Sequence, residues 1–256
     1  MDIRELRLAV LIDADNIPYS NVKGMMEEIA KYGTPTFKRI YGDWTKPHVT
    51  GWKNVLLENA ITPIQQYSYT QGKNSTDSAM IIDAMDILYS GRVDGFCIVS
   101  SDSDFTRMAT RLREAGMKVI GIGEKKTPTP FISACDKFIY LEILKKSTRK
   151  ENGTAPPERA KPEKRTSPPA EDEPVYKIDN ALVRLLSNSI NDLADEDGWV
   201  FLGSLGSLLN KKYPDFDARN YGYSKLVDLI KDISEIEIDR RKSPKSNNSH
   251  VYVRVK

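Results

Sequence analysis

Acidic side chains stand directly after two apolar runs of the sequence and at the start of a helical pattern. Carboxylate and amide oxygens, without His or Cys, suit Mg²⁺ or Mn²⁺. Such an ion beside a substrate phosphate is a recurrent apparatus for cleaving phosphodiesters, because it activates water and neutralises charge on the phosphorus oxygens. The residues are Asp13, Asp15 and Asn16 after the run at 6–12, Asp102 and Asp104 after the run at 95–100, and Asp77 in the helical pattern at 75–90.

Gathering these groups is unfavourable unless a cation joins them. Two like charges 4 Å apart repel by about 4 kcal/mol at an effective dielectric constant near 20. An aspartate that follows a strand is also a common helix N-cap, which is the alternative for Asp77, Asp102 or Asp104 taken singly. Five acids on three segments favour a shared metal site, with Asn16 orienting water or phosphate. Asp83 lies about 240° around its helix from Asp77 and either supports this site or faces solvent.

The elements that must position these residues alternate between strand and helix over residues 1–146. Apolar runs such as LRLAVLI at 6–12 and GFCIVS at 95–100 are separated by helical patterns such as FTRMATRLREAG at 105–116. This alternation predicts an α/β domain with a parallel sheet and helices on both faces. Because ligands bind at the carboxyl ends of strands in such sheets, we expect the acids to meet at one edge.

A linker and a second domain follow. Residues 151–174 contain six prolines and no aromatic or large aliphatic residue, so we predict a disordered linker over 147–176. Residues 177–256 show helical patterns and then two alternating strands, EIEIDR and HVYVRVK. This order predicts a small winged-helix-like α+β domain, with the terminal hairpin as its wing.

Composition excludes several classes of protein. The 256 residues include 38 Lys or Arg and 36 Asp or Glu, so a nucleic-acid surface must be a local patch. Two cysteines exclude a disulfide framework and a four-cysteine zinc site. No apolar run approaches the roughly 20 residues of a transmembrane helix, and the first residues lack the order of a secretory signal. We therefore expect a cytoplasmic protein without membrane contact.

Three motifs resemble the NYN domain, a branch of the PIN-like ribonuclease superfamily. They are LIDADN at 11–16, KNSTDSAMIIDAMD at 73–86 and SSDSDF at 100–105, within a match over about 5–142. The resemblance implies that Asp13, Asp77 and Asp102 hold one or more divalent metals, and that Asn16 and Asp104 complete the catalytic site. Asp104 is counted with the metal ligands. Asp15, Asp83 and Ser101 form a second tier of candidate site residues. Many relatives have glycine at the position of Ser101.

Residues 197–230 resemble the OST-HTH or LOTUS module. The resemblance lies in Gly-Trp-Val at 198–200, Pro-x-Phe-Asp at 214–217 and Arg-x-Tyr-Gly at 219–222. Modules of this kind are associated with RNA binding, including guanine-rich RNA, or with docking of a protein partner. The NYN-like domain and this module therefore imply the same class of substrate, RNA.

Basic and aromatic side chains could hold single-stranded or structured RNA, because cations track phosphates and rings stack on unpaired bases. The wing adds Arg240, Arg241, Lys242 and Lys245, although a solvated turn would look the same, and Trp199 is expected in the core. The predicted RNA-binding residues are Lys38, Arg39, Trp44, Lys46 and Lys73 in the first domain, and Lys211, Lys212, Arg219 and Tyr223 in the second.

The leading hypothesis is a metal-dependent ribonuclease, most simply an endoribonuclease, whose LOTUS-like module selects the RNA. One alternative is a non-catalytic RNA-binding or scaffold protein. Another is a haloacid-dehalogenase-like phosphatase, which also uses D-x-D after its first strand, here Asp13 and Asp15, with the first aspartate attacking phosphate. The number of metal ions, the natural RNA and the formation of a homodimer are left open.

Overall fold

A computed structural model describes residues 5–15, 17–46, 49, 51–67, 75–144, 174–242 and 249–256. The predicted linker over 147–176 lies outside the described residues except for 174–176. The chain divides into two compact units, residues 1–160 and 161–256. Within the ranges given above, no helix has both the length and the apolar character needed to cross a membrane.

The first unit is built on a six-stranded parallel sheet in the order β3-β2-β1-β4-β5-β6. Its strands are β1 (Arg7–Asp13), β2 (Thr34–Gly42), β3 (Thr62–Gln65), β4 (Gly95–Val99), β5 (Lys118–Gly123) and β6 (Lys137–Tyr140). Its helices are α1 (Val22–Ile29), α2 (Trp52–Asn59), α3 (Ser75–Tyr89), α4 (Thr106–Glu114) and α5 (Thr129–Ala134).

The two central strands, β1 and β4, are apolar along their length, as the sequence predicts. Every residue from Leu8 to Ile12 is fully buried, and so are Phe96 to Val99. Successive side chains of a strand point to opposite faces of the sheet, so both faces must be covered. The predicted α/β class with helices on both faces is therefore confirmed.

The order of the strands reverses between β1 and β4. The chain proceeds outward from β1 through β2 to β3, then crosses to β4 on the other side of β1 and continues through β5 to β6. Ile12 pairs with Val99, so the two strands end side by side. A crevice forms outside the carboxyl ends of the strands at such a reversal, and ligands bind there.

Two glycines in β5 let neighbouring segments approach its backbone closely. A Cβ atom at Gly121 would lie 2.5 Å from a ring carbon of Phe138, and one at Gly123 would lie 2.6 Å from the carbonyl oxygen of Ser100. Real Cβ contacts are not that short, so only glycine fits without movement of the neighbours. Gly123 thereby keeps β5 close to the end of β4, where the acidic turn begins.

The second unit combines helices with a three-stranded antiparallel sheet in the order β7-β9-β8. The predicted hairpin is confirmed as β8 and β9, and a short third strand joins it. A buried cluster that includes Leu186, Leu209 and Val253 forms the core of this unit. The elements are α6 (Asn180–Asn191), β7 (Val200–Phe201), α7 (Leu202–Lys212), α8 (Leu226–Lys231), β8 (Ile236–Lys242) and β9 (Ser249–Val255).

Candidate active site

Asp13 ends β1 and lies almost completely inside the protein, with 1% of its surface exposed. Ser100, directly after β4 and fully buried, donates its hydroxyl hydrogen to Oδ2 of Asp13 over 2.9 Å. The backbone N–H of Asp15 donates to Oδ1 of Asp13 over 3.1 Å. A buried carboxylate needs hydrogen bonds to its charged form, and here a neighbouring strand and the following turn supply them.

The turn after β4 is organised by the same serine. Oγ of Ser100 accepts a hydrogen bond from the backbone N–H of Asp102 over 3.1 Å. Oδ1 of Asp102 accepts one from the backbone N–H of Asp104 over 2.9 Å, which caps a short 3₁₀ helix at Ser103–Phe105. The prediction that this aspartate could be an N-cap is thus also met. Capping fixes the direction of the Asp102 carboxylate, so the cap and a metal ligand are compatible roles.

Asp77 lies in the first turn of α3, a helix that packs against β1 and β2. Its side chain is half-buried, that of Asp102 is half-buried and that of Asp104 is exposed. Among the described residues, these three carboxylates form a group in which one oxygen of each lies within 4.8 Å of the others. Two sequence segments far apart in the chain therefore meet at the crevice between β1 and β4.

The electrostatics of Asp77 report the same convergence. Burial, and then the negative charges of Asp13, Asp102, Asp104 and Asp15, raise its pKa from 3.8 to about 6. A like charge nearby disfavours ionisation, so each of these four acids acts on Asp77. The charges of the other four predicted carboxylates thus all act on Asp77, although Asp13 and Asp15 do not belong to the group of three oxygens.

The donor set fits a hard divalent cation. It consists of carboxylate oxygens, and repulsion by the neighbouring negative charges adds to burial in raising the pKa of Asp77. Mg²⁺ and Mn²⁺ prefer oxygen ligands, and their charge would offset this repulsion. The arrangement could hold such an ion and expose it to a substrate, because Asp104 faces solvent.

The remaining predicted site residues occupy different surroundings. Asp15 is exposed, while the buried Ser101 accepts a hydrogen bond from the backbone N–H of Glu124 over 2.8 Å. Asp83 accepts hydrogen bonds from Arg39 and from the hydroxyl of Tyr41, so it ties α3 to β2. These contacts hold the helix that carries Asp77 against β2. The predicted residues Asn16 and Lys73 lie outside the described residues.

The basic and aromatic residues predicted to bind RNA beside the acids already have contacts within the protein. Nζ of Lys38 donates to the carbonyl oxygen of Asn59 over 2.6 Å, and Arg39 is paired with Asp83. Trp44 is half-buried, and its indole N–H donates to the carbonyl oxygen of Ile64 over 3.0 Å. This bond holds the indole at the carboxyl end of β3. Lys46 is half-buried.

The predicted RNA-binding residues of the second unit are similarly engaged. Lys212 forms an ion pair with Asp192, and Arg219 forms one with Asp217 at 2.7 Å. The hydroxyl of Tyr223 donates to Asp232 over 2.5 Å. Lys211 is exposed. An RNA phosphate would have to replace these carboxylate partners, so the helices of this unit present a weaker cationic surface than their sequence indicates.

Sequence reasoning missed two features. Ser100 was not among the predicted residues, although a hydroxyl at a strand end beside an acidic turn is a usable signal. Trp199, expected in the core, is half-buried, and the guanidinium groups of Arg241 and Arg254 lie over its ring at 5.0 and 4.7 Å from the centroid. The alternation of side chains along β8 and β9 could have indicated these contacts, because it places arginines and aromatic rings on one side of the hairpin.

Comparison with protein families gives two matches along the chain. The model of the NYN domain matches residues 7–142, and the model of the OST-HTH/LOTUS domain matches residues 173–247. The two families expected from the motifs are therefore confirmed in the expected order. The NYN domain belongs to the PIN-like nuclease superfamily, so the two domains support an RNA-related nuclease or binding role.

Comparison with solved structures finds several chains with partial similarity to this one. A protein of unknown function from Vibrio parahaemolyticus is 19% identical with a TM-score of 0.45, and the match covers 54% of this chain and 94% of that one. An uncharacterized protein from Nitrosomonas europaea is 30% identical with a TM-score of 0.30, covering 38% and 92%. A fragment from Chromobacterium violaceum is 26% identical with a TM-score of 0.26, covering 30% and 82%. No curated protein matches this chain.

Proposed function

This chain belongs to the NYN domain family, and we propose on that basis that it is a metal-dependent ribonuclease that hydrolyses RNA phosphodiester bonds. The observation that carries the proposal is the group of three carboxylates, Asp77, Asp102 and Asp104, with oxygens within 4.8 Å of one another. Two full charges at that separation repel by about 3 kcal/mol at an effective dielectric constant near 20. A cluster with this cost is expected where a cation binds.

Each described residue of the site has a role in this proposal. Asp77, Asp102 and Asp104 hold a Mg²⁺ or Mn²⁺ ion, and Asp13 stays a predicted ligand whose charge acts on Asp77. Ser100 positions both Asp13 and the turn at Asp102 through its two hydrogen bonds. When bound, a divalent ion supplies an activated water and offsets the negative charge that develops on the phosphate.

The exposure of the site favours cleavage within a strand. Asp15 and Asp104 are exposed beside the half-buried Asp77 and Asp102, so the acids open onto solvent at the rim of the sheet. An RNA strand can lie across such a rim without threading an end into it. We therefore propose endonucleolytic hydrolysis that leaves a 5′-phosphate and a 3′-hydroxyl.

The phosphatase alternative is disfavoured by the surroundings of Asp13. That mechanism needs Asp13 as the nucleophile, yet this side chain is 1% exposed and both of its oxygens accept hydrogen bonds from the fold. A nucleophile must be able to reach the phosphorus atom. The OST-HTH/LOTUS domain also favours an RNA substrate, which we propose it recruits. A protein partner, a homodimer and a cytoplasmic location stay predictions from the sequence.

The test uses one RNA in linear and covalently circular forms, incubated with the full chain and Mn²⁺, Mg²⁺ or a chelator. We expect cleavage of both forms with metal and none with chelator, because a circle has no end for an exonuclease. The product ends should be a 5′-phosphate and a 3′-hydroxyl, which distinguishes this activity from contaminating ribonucleases that leave 2′,3′-cyclic phosphates without metal.

Asp102→Asn and Asp86→Asn make a matched pair of variants. Loss of the ligand at Asp102 should lower the cleavage rate by about 100-fold or more. Asp86 is exposed on α3, the helix that carries Asp77, so its variant should cleave like the parent protein. Equal activity of the Asp102→Asn variant, or metal-independent cleavage, would refute the proposal.

A further inference from the structure

The outer face of the sheet in the second unit carries aromatic and guanidinium groups. Phe201 is directly opposite Tyr252 in the β7–β9 pair, and Arg241 is opposite His250 in the β8–β9 pair. Contacts between their side chains place them on one side of the sheet. We call this surface the aromatic face; its residues are Trp199, Phe201, Arg241, His250, Tyr252 and Arg254.

The rings of the aromatic face meet edge to face or at a tilt rather than stacking flat. Phe201 and His250 have centroids 5.5 Å apart and planes at 75°, and Phe201 and Tyr252 have centroids 5.8 Å apart and planes at 55°. Phe201 is 40% exposed and His250 is also exposed, although both belong to a folded sheet. Such edge-to-face and tilted pairs are usual for aromatic side chains, and the exposed surface of Phe201 and His250 could contact a planar ligand.

Arginines line the same rings. Arg241 lies over both Trp199 and Tyr252, at 5.0 and 4.5 Å from their centroids, and Arg254 lies over Trp199. Asp239 and Glu237 pair with Arg241 and Arg254 at 2.9 and 2.7 Å, which fixes the direction of the two guanidinium groups. The face therefore presents rings together with guanidinium planes, and because both arginines already pair with acids of the same face, the rings rather than these charges would hold a ligand there.

The charge of the hairpin fits a polyanion. Residues 236–256 contain six Lys or Arg and two acids, a net charge of +4, whereas the whole chain has a net charge of +2. The segment that contains the hairpin therefore carries a larger net positive charge than the chain as a whole. His250, Tyr252 and Arg254 lie beyond residue 247, where the match to the OST-HTH/LOTUS model ends.

We propose that the aromatic face binds an unpaired stretch of RNA, with bases stacked on Phe201 and His250 and phosphates near the basic residues of the hairpin. Base stacking on aromatic rings together with cations along the backbone is how proteins hold single strands, whereas duplex bases are not available to rings. The inference rests on the proposed RNA substrate and names the surface of the second unit that would recruit it.

The test measures binding of a short, unstructured, fluorescently labelled RNA to the full chain by anisotropy. All proteins carry Asp102→Asn so that the RNA stays intact. Adding Phe201→Ala and His250→Ala should raise Kd by about 10-fold or more, because the stacking of each base on a ring contributes to the binding free energy. Tyr213→Ala is the matched control, because Tyr213 is 37% exposed in the same unit outside the sheet and its variant should bind like the parent.

Two further measurements identify the cause of the loss. The same strand with abasic sites should bind the parent more weakly, and the double variant should then add no further loss. The dependence of Kd on salt should keep its slope in the double variant, because no phosphate contact is removed. Thermal midpoints equal to that of the parent exclude unfolding as the cause.

Unchanged RNA affinity of the double variant overturns the inference and leaves the aromatic face to a protein partner. An equal loss in the Tyr213→Ala variant also overturns it, because the effect would not belong to the face. Cleavage by the unsubstituted chain is scored separately. RNA binding through the face without any cleavage refutes the nuclease alone, and cleavage without a role for Phe201 and His250 refutes the face alone.

Discussion

Replacing Asp77 by asparagine is expected to stabilise the metal-free protein at neutral pH while it removes cleavage. Asp77 is half-buried and surrounded by the charges of Asp13, Asp15, Asp102 and Asp104, which disfavour its ionised form. Asparagine has nearly the same shape and no charge. The variant therefore removes the repulsion between Asp77 and the neighbouring carboxylates.

The magnitude follows from the pKa of Asp77. It is about 6 in the fold against an ordinary value of 3.8. One pKa unit corresponds to about 1.4 kcal/mol, so a fully expressed shift would cost about 3 kcal/mol. Water screens part of this in a half-buried group, and we expect the variant to gain about 1–2 kcal/mol. For a unit of this size that gain corresponds to a rise in Tm of about 3–6 °C.

The gain must depend on pH in one direction. The pKa of Asp77 is higher in the folded chain, so proton binding stabilises the fold at low pH and this stabilisation is lost as pH rises from about 4 to about 6. The difference between the variant and the parent should therefore be largest above pH 6. It should shrink through pH 5 and be small by about pH 3, where Asp77 is protonated in both the folded and the unfolded chain.

Calorimetry in the presence of a chelator measures this difference, and it resolves the two units if they unfold separately. Asp86→Asn on the same helix is the control and should leave Tm unchanged at every pH. Mn²⁺ should raise the Tm of the parent but raise that of the Asp77→Asn variant less. Destabilisation by Asp77→Asn at pH 8 without metal, or a gain that does not vary with pH, would refute this account of the site.

Three further substitutions have defined outcomes. Ser100→Ala removes the hydroxyl bonded to Asp13 and should lower the free energy of unfolding by about 1–3 kcal/mol in calorimetry and reduce cleavage. Asp83→Asn leaves Arg39 without its anionic partner, so we expect the free energy of unfolding to fall by about 1–2 kcal/mol, whereas Asp77→Asn on the same helix should raise it. Gly121→Ala introduces a Cβ 2.5 Å from a ring carbon and should cost about 1–3 kcal/mol without changing the metal dependence of any remaining cleavage.

The sequence alone was sufficient for the architecture of the first unit and for the edge that carries its acids. Continuous apolar runs at 6–12 and 95–100 indicate buried parallel strands, and residues that follow such strands emerge at one edge whatever the rest of the packing is. The position of Asp13 and Asp102 at that edge could be predicted for this reason from local pattern and chain direction. Asp77 lies on a helix, so its place also depended on how that helix packs.

Only the tertiary structure decided which oxygens approach one another and which cations are already paired. The separation of 4.8 Å among three carboxylates depends on how α3 packs against β1 and β2, and the role of Ser100 depends on β4 lying beside β1. The pairing of Arg39 with Asp83 likewise joins residues 44 positions apart. Such contacts are set by the packing of distant elements, whereas sequence patterns report only neighbours along the chain.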